Sequence, residues 1–164
     1  MRLRKKPWIE TAMEELKDKY VLMHNLEYYK GHWQERFPGK RLCLEIGCGK
    51  GRFLTGMAEL HPEKAFIGVE TQHDISYYPG KYIMDNKLEN AVVICANAEQ
   101  LEDWFEPGEI KELYLNFSDP WPKARPRPNA ALRTETFWQN TRGFWAAAGT
   151  CALKRTTGLC LIFR

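Results

Sequence analysis

At 164 residues, with 44% hydrophobic and 27% charged residues, the chain is the size of one ordinary domain and has enough apolar content for a core, and nothing in it suggests two domains. No apolar run approaches the ~20 residues of a membrane span, and the basic start Met1 to Lys6 leads into Pro7-Trp8 rather than a signal-peptide core, so a cytoplasmic protein with no membrane partner is expected. Five cysteines (Cys43, Cys48, Cys95, Cys151, Cys160) are an odd number without a C-x-x-C pair, which argues against a disulfide framework or a zinc knuckle; no metal site is expected.

The chain opens with Arg2, Arg4, Lys5 and Lys6 ahead of Pro7-Trp8. This reads either as a flexible cationic arm with an aromatic beside it, suited to phosphate and base contacts, or as a terminus without function. Residues 9–37 read as helical, with Ile9, Met13, Leu16 and Tyr20 on one stripe and Pro38-Gly39 as the stop. Residues 1–37 are therefore expected to form a basic arm followed by helices.

The pattern then changes. Residues 42–46, 65–69, 91–96 and 113–116 are short apolar runs separated by helical or mixed polar segments. That β-α-β rhythm, with runs apolar throughout rather than alternating, predicts strands covered on both faces: a doubly wound, mostly parallel α/β sheet over residues 38–125. In such sheets ligands bind outside the carboxyl ends of the strands.

The first strand ends in Leu44-Glu45-Ile46-Gly47-Cys48-Gly49-Lys50-Gly51, and a helical pattern follows from Arg52 to Leu60. Gly47 and Gly49 let the backbone turn at positive φ or approach a ligand closely. A dinucleotide fingerprint would need glycine where Arg52 stands, and a carboxylate aimed at the cleft suits pyrophosphate poorly. Glu-x-Gly-x-Gly-x-Gly suits S-adenosylmethionine instead, whose ammonium and sulfonium are drawn to a strand-end carboxylate. The alternative is an ordinary Gly-rich turn.

Three further polar residues fall at or just beyond strand ends, and all should meet Glu45 in one crevice. Glu70 closes the run Phe-Ile-Gly-Val-Glu and is placed to accept both ribose hydroxyls, or else to serve as a helix N-terminal charge. Asn97 can bond an adenine edge with its amide, or act as a turn residue. Asp119 lies in Asn116-Phe117-Ser118-Asp119-Pro120-Trp121-Pro122-Lys123, a loop stiffened by two prolines. There Asp119 can receive a base, Trp121 can stack or pack beneath it, and Lys123 with Arg125 can hold phosphate; the alternative is a Pro-rich turn.

On these motifs, residues 1 to about 125 resemble the bacterial tRNA guanine-N7 methyltransferase family. The arm Met1 to Trp8, the cradle Leu44 to Gly51, Phe66 to Glu70, Ala96-Asn97-Ala98-Glu99 and Tyr114 to Lys123 match in order and spacing. The resemblance implies a class I S-adenosylmethionine-dependent methyltransferase fold (Rossmann-like) acting on tRNA. It implies that Glu45, Glu70 and Asn97 contact the cofactor, that Asp119 is the active-site acid, and that Lys123 touches the target nucleotide. With the glycines of the cradle, the residues expected around the cofactor are Glu45, Gly47, Gly49, Glu70, Asn97 and Asp119.

Past Arg125 the resemblance stops, where the family would continue with a basic helix, another strand and a Thr-Asp-Asn motif. Residues 1–125 hold 18 Lys+Arg against 20 Asp+Glu, whereas residues 126–164 hold 6 against 1 and lack β-α rhythm. A C-terminally incomplete fold is expected, ending without a final strand pair and exposing the edge of the fourth strand. The tail is expected to have little order, with a weak helical pattern over residues 134–148. One synonymous recoding of residues 152–163, read one base out of register, gives Arg-Phe-Lys-Thr-Asp-Asn-Arg-Ala-Leu-Phe-Asp-Phe-Ser, which looks like the missing segment. Residues 126–164 are thus read as an out-of-frame translation that begins near residues 125–128. Two other functions stay open: an adenine or cytosine amino methyltransferase, whose Asp/Asn-Pro-Pro-aromatic loop residues 116–121 fit poorly, and a cofactor- or tRNA-binding remnant without catalysis. The sequence does not fix the oligomeric state.

Overall fold

The computed structural model describes residues 6–116 in full, and residues 151–154 and 160–163 as backbone strands. The elements are α1 (Pro7–Met13), β1 (Val21–Leu22), a 3-10 turn (Leu26–Tyr29), α2 (Trp33–Arg36), β2 (Arg41–Ile46), α3 (Arg52–Leu60), β3 (Lys64–Glu70), α4 (His73–Asp85), β4 (Ala91–Cys95), a second 3-10 turn (Ala98–Gln100), α5 (Leu101–Trp104), β5 (Ile110–Tyr114), β6 (Cys151–Lys154) and β7 (Cys160–Phe163).

The strands form one sheet in the order β1-β4-β3-β2-β5-β6-β7, parallel throughout except for the last pair. Alternate residues of each strand face opposite layers, and both layers are apolar. Leu42, Leu44 and Ile46 join Ile67, Val69 and Val92 under Trp33, Phe37, Leu101, Trp104 and Phe105. Cys43 joins Phe66, Val93 and Tyr114 under Met13, Leu16, Leu54, Ala58 and Ile83. Coverage of both faces is why the strand runs are apolar at every position rather than at every second one. Trp33, fully buried, also donates its indole N–H to the Trp104 carbonyl at 2.9 Å, which ties α2 to α5 across the first layer.

From β2 the chain winds outward through β3 and β4, then returns to place β5 on the other side of β2. The order reverses between β2 and β5, so the crevice for a ligand is expected at the carboxyl ends of those strands.

Two expectations are overturned. The helix read over residues 9–37 is broken into α1, β1, a 3-10 turn and α2. Its stripe is right at the start, since Ile9, Met13 and Leu16 are buried. But Asp18 adopts a left-handed φ of 55°, and its carboxylate accepts the backbone N–H groups of Met23 (3.0 Å) and His24 (3.2 Å). A short side chain that satisfies the backbone locally competes with helix. The released segment then pairs Val21 and Leu22 with Val93 and Ile94 on β4.

The final strand pair, expected to be missing, is formed. Residues 151–154 lie parallel to β5, with Leu113 opposite Leu153, and residues 160–163 run antiparallel beside them. Cys-Ala-Leu-Lys and Cys-Leu-Ile-Phe are short apolar runs on either side of Thr156-Thr157-Gly158, a hairpin pattern, and the edge of β5 offers unpaired backbone groups to the first of them. The expected helix over residues 134–148 lies outside the described residues.

Candidate active site

The glycine loop is held by the end of β3. The N–H groups of Gly47 and Cys48 both donate to the Val69 carbonyl, at 2.8 and 3.1 Å. This folds the chain sharply as it leaves β2, and Gly47 and Gly49 take φ values of 72° and 56° to do so. Among the described residues, and apart from their own chain neighbours, no atom lies within 4 Å of where a Cβ on either glycine would be. Gly51 acts differently. It starts α3 at φ 74°, and a Cβ there would lie 2.3 Å from the Cβ of Pro79 in α4. The first two glycines leave room for a ligand, and the third lets two helices approach.

Glu70 locks this loop from the side. Its Oε2 accepts the Gly49 N–H at 3.0 Å and its Oε1 accepts the Gln72 N–H at 2.9 Å. Of the two expectations for Glu70, the structural one is visible, since the carboxylate satisfies the Gln72 N–H just ahead of α4; its bond to Gly49 also sets it beside the glycine loop.

Glu45 is 3% exposed. Its Oε1 accepts the side-chain N–H of Asn116, which follows β5, at 3.1 Å. Its Oε2 is buried and, among the described residues, has no hydrogen-bond partner. Burial pushes the carboxyl up to about 7, against the opposing pull of the Asn116 amide and, more weakly, the Leu54 backbone N–H. A buried oxygen left unpaired costs free energy, which a cationic donor entering the crevice would recover. The amino-acid end of S-adenosylmethionine has that chemistry, and Gly47 and Gly49 follow Glu45 in the same turn with no described side chain filling their Cβ positions, so the residues present fit the cofactor.

Glu45 and Glu70 lie at the carboxyl ends of adjacent parallel strands, with Ile46 opposite Val69. Burial first, then the charges of both carboxylates, hold the Cys48 thiol well above its ordinary range. One buried side chain thus feels both acids, and Cys48 stays a protonated filler rather than a nucleophile.

Asn97 lies beyond β4 and is exposed. Its Oδ1 accepts the Glu99 N–H at 3.2 Å and its Nδ2 donates to Glu99 Oε2 at 3.0 Å, so its amide caps the second 3-10 turn. Asp119, Trp121, Lys123 and Arg125 lie outside the described residues, as do Arg2, Arg4 and Lys5. Asn116 is the residue that sequence reasoning passes over. In the sequence it is visible only as the first residue of the loop after the fourth strand, yet its side chain reaches from the end of β5 to Glu45 on the paired strand β2, where the strand order reverses. Among the described residues, no group of three or more His, Cys, Asp or Glu could hold a metal ion, and no helix is long and apolar enough to cross a membrane.

A family model described as "Putative methyltransferase" matches residues 39–137. A tRNA (guanine-N(7)-)-methyltransferase from Levilactobacillus brevis is 43% identical over 126 residues, which cover 76% of this chain and 58% of the relative. One from Exiguobacterium sp. AT1b is 40% identical over 155 residues, covering 94% of this chain and 71% of the relative. Against the first of these the chain spans 58% of the relative's length. Among solved structures, an antibiotic-related methyltransferase superposes with a TM-score of 0.59 at 17% identity, over 76% of this chain and 62% of that one, a likeness of fold alone. With a parallel sheet reversing beside Glu45, a glycine cradle and these relatives, the chain belongs to the tRNA (guanine-N7-)-methyltransferase family.

Proposed function

We propose that this chain carries the cofactor half of an enzyme that transfers a methyl group from S-adenosylmethionine to N7 of guanine in tRNA, in the cytoplasm. The observation that carries the reading is the buried Oε2 of Glu45, which has no hydrogen-bond partner among the described residues, at the start of a loop whose Gly47 and Gly49 have no described neighbour within 4 Å of a Cβ position. When bound, S-adenosylmethionine supplies an electrophilic methyl group on a sulfonium. Glu45 would hold its ammonium, Glu70 its ribose hydroxyls, and Gly47 and Gly49 would admit its backbone-facing edge. Asn97 would meet the adenine with its exposed amide by releasing the Glu99 side chain, or would leave that contact to its backbone.

Guanine N7 already offers a lone pair, so no general base has to remove a proton. Positioning is the main requirement: the C–N bond forms as the C–S bond breaks, with the reacting atoms first held ~3–3.5 Å apart in line. Positive charge then passes to the purine ring. Asp119 would orient the base and favour that cationic product, and Lys123 would hold the target nucleotide through its phosphate.

Residues 126–164 belong to the proposal as an out-of-frame translation. Support comes from the charge shift after Arg125 and from the recoded Thr-Asp-Asn segment. Several relatives match over 126 residues, in keeping with a break, whereas the family model runs to residue 137 and one relative matches over 155 residues, which weigh against a slip as early as residue 125. On this reading the literal chain binds cofactor with weak or absent turnover, and restoring the frame restores activity. The test is nucleoside analysis of unmodified tRNA incubated with S-adenosylmethionine and the frame-restored protein. N7-methylguanosine is expected; another methylated nucleoside, or none, overturns the reading. Sequencing the gene across the codons for Lys123 to Asn129 tests the tail, and an intact frame with no homologous alternative refutes it.

A further inference from the structure

Two lysines from distant parts of the chain reach the same aromatic ring beside the glycine loop. Lys6 donates from Nζ to Tyr78 Oη at 2.6 Å, and its ammonium lies 5.3 Å from the centre of the Tyr78 ring and 5.9 Å from that of Trp8. Lys50, between Gly49 and Gly51, places its ammonium 5.3 Å from the same Tyr78 ring. The two ammonium groups are thus no more than twice that distance apart. Among the described residues neither forms an ion pair with a carboxylate.

Trp8 is fixed next to them. It meets Tyr77 edge to face at 5.3 Å and 88°, and α1 beneath it is anchored by buried Ile9 and Met13. It nevertheless stays 52% exposed. The expectation of a flexible arm is corrected for Lys6 and Trp8, which dock on α4.

An exposed indole packed on Tyr77, with Lys6 beside it and Lys50 on the neighbouring Tyr78 ring, neither ammonium paired with a carboxylate among the described residues, is complementary to a nucleotide, which offers a π-face and a phosphate together. A peptide would need a carboxylate and an apolar group at the same spacing, and nothing in the cluster selects for that. We propose that Lys6, Trp8, Lys50 and Tyr78 form a docking platform for an unpaired nucleoside of the RNA substrate. The base stacks on Trp8, a flanking phosphate sits between Lys6 and Lys50, and Tyr78 positions both lysines. This rests on the proposed tRNA activity, and it puts bound RNA at the rim of the cofactor crevice through Lys50.

The test is equilibrium binding of unmodified, transcribed tRNA to the full chain at several salt concentrations, for the wild type, Trp8→Ala, Trp8→Phe and Lys6→Ala. Trp8→Ala should weaken binding about tenfold with S-adenosylmethionine affinity unchanged, and Trp8→Phe should recover part of the loss. Lys6→Ala should reduce the slope of log affinity against log salt by about one. Wild-type tRNA affinity in both Trp8→Ala and Lys6→Ala overturns the platform, as does loss of cofactor binding in Trp8→Ala equal to its loss of RNA. If guanine-N7 methylation persists alongside those results, the platform fails and the proposed activity stands. If Trp8→Ala loses RNA affinity in a protein that never methylates N7, the activity fails and the platform stands.

Discussion

Replacing Glu45 by Gln should stabilise the empty protein and impair its function, with the balance set by pH. The Glu45 carboxyl is raised from 4.5 to about 7 in the folded state, chiefly by burial. A carboxyl raised above its unfolded value contributes stability that is fully present below about pH 4.5 and is lost as pH rises through about 7. At ~1.36 kcal/mol per pK unit, the native carboxylate above pH 7 costs up to about 3 kcal/mol relative to its protonated form. Gln keeps the oxygen that accepts from Asn116 and carries no charge to desolvate. Its amide still needs a partner where Oε2 has none among the described residues, so a net gain of about 1–3 kcal/mol is expected at pH 8 and close to nothing at pH 5. Urea titrations of both proteins at the two pH values measure this. Cofactor binding should move the opposite way, because a cation beside Glu45 favours its ionised form and binding near pH 7 should release a fraction of a proton. Calorimetry in buffers of different ionisation enthalpy would detect that release in the wild type and its loss in the variant. A Glu45→Gln protein equally destabilised at pH 5 and pH 8 would refute the reasoning, because burial of charge would then not be what strains the site.

Glu70→Gln should loosen the glycine loop by weakening the bond to the Gly49 N–H and should lower S-adenosylmethionine affinity tenfold or more by titration calorimetry, since a hydrogen bond to a charged group is worth ~1.5–3 kcal/mol. Gly51→Ala combines a left-handed φ of 74° with a clash against Pro79, and should cost roughly 2–4 kcal/mol in a urea melt through strain and overpacking. Trp33→Ala removes a fully buried indole and leaves the Trp104 carbonyl without its donor, for a loss of about 3–5 kcal/mol by the same assay. In frame-restored protein, Asp119→Ala should lower turnover and leave cofactor affinity near the wild-type value; unchanged activity removes its assigned role.

The central strands are legible in the sequence because burial on both faces leaves an uninterrupted apolar signal, and β2, β3, β4 and β5 fall within a few residues of the runs that announce them. The α3 helix from Arg52 to Leu60 is legible for a related reason: three glycines force a turn that fixes where it starts. The segment before β2 is not. Its apolar spacing continues through Leu16, but Asp18 satisfies two backbone donors locally and β4 offers an edge to Val21, and neither competitor shows in periodicity. β6 and β7 escape for the opposite reason, because a charge shift and a lost family pattern outweigh two short runs with a turn between them. At the site, carboxylates at strand tips can be placed by counting. The partner of Glu45 cannot, because Asn116 reaches it only through a strand order that sequence spacing does not encode. Likewise Lys6 and Lys50 are 44 residues apart in the chain and meet only because α1 docks on α4.

The most direct measurement is calorimetric titration of the purified chain, and of its frame-restored form, with S-adenosylmethionine. Saturable binding at one site per chain is predicted, weakened at least tenfold in Glu45→Gln at pH 8, as expected for loss of a buried charged contact. Absence of saturable binding in the restored protein, or equal affinity in the variant, would contradict a crevice built to hold a cationic methyl donor.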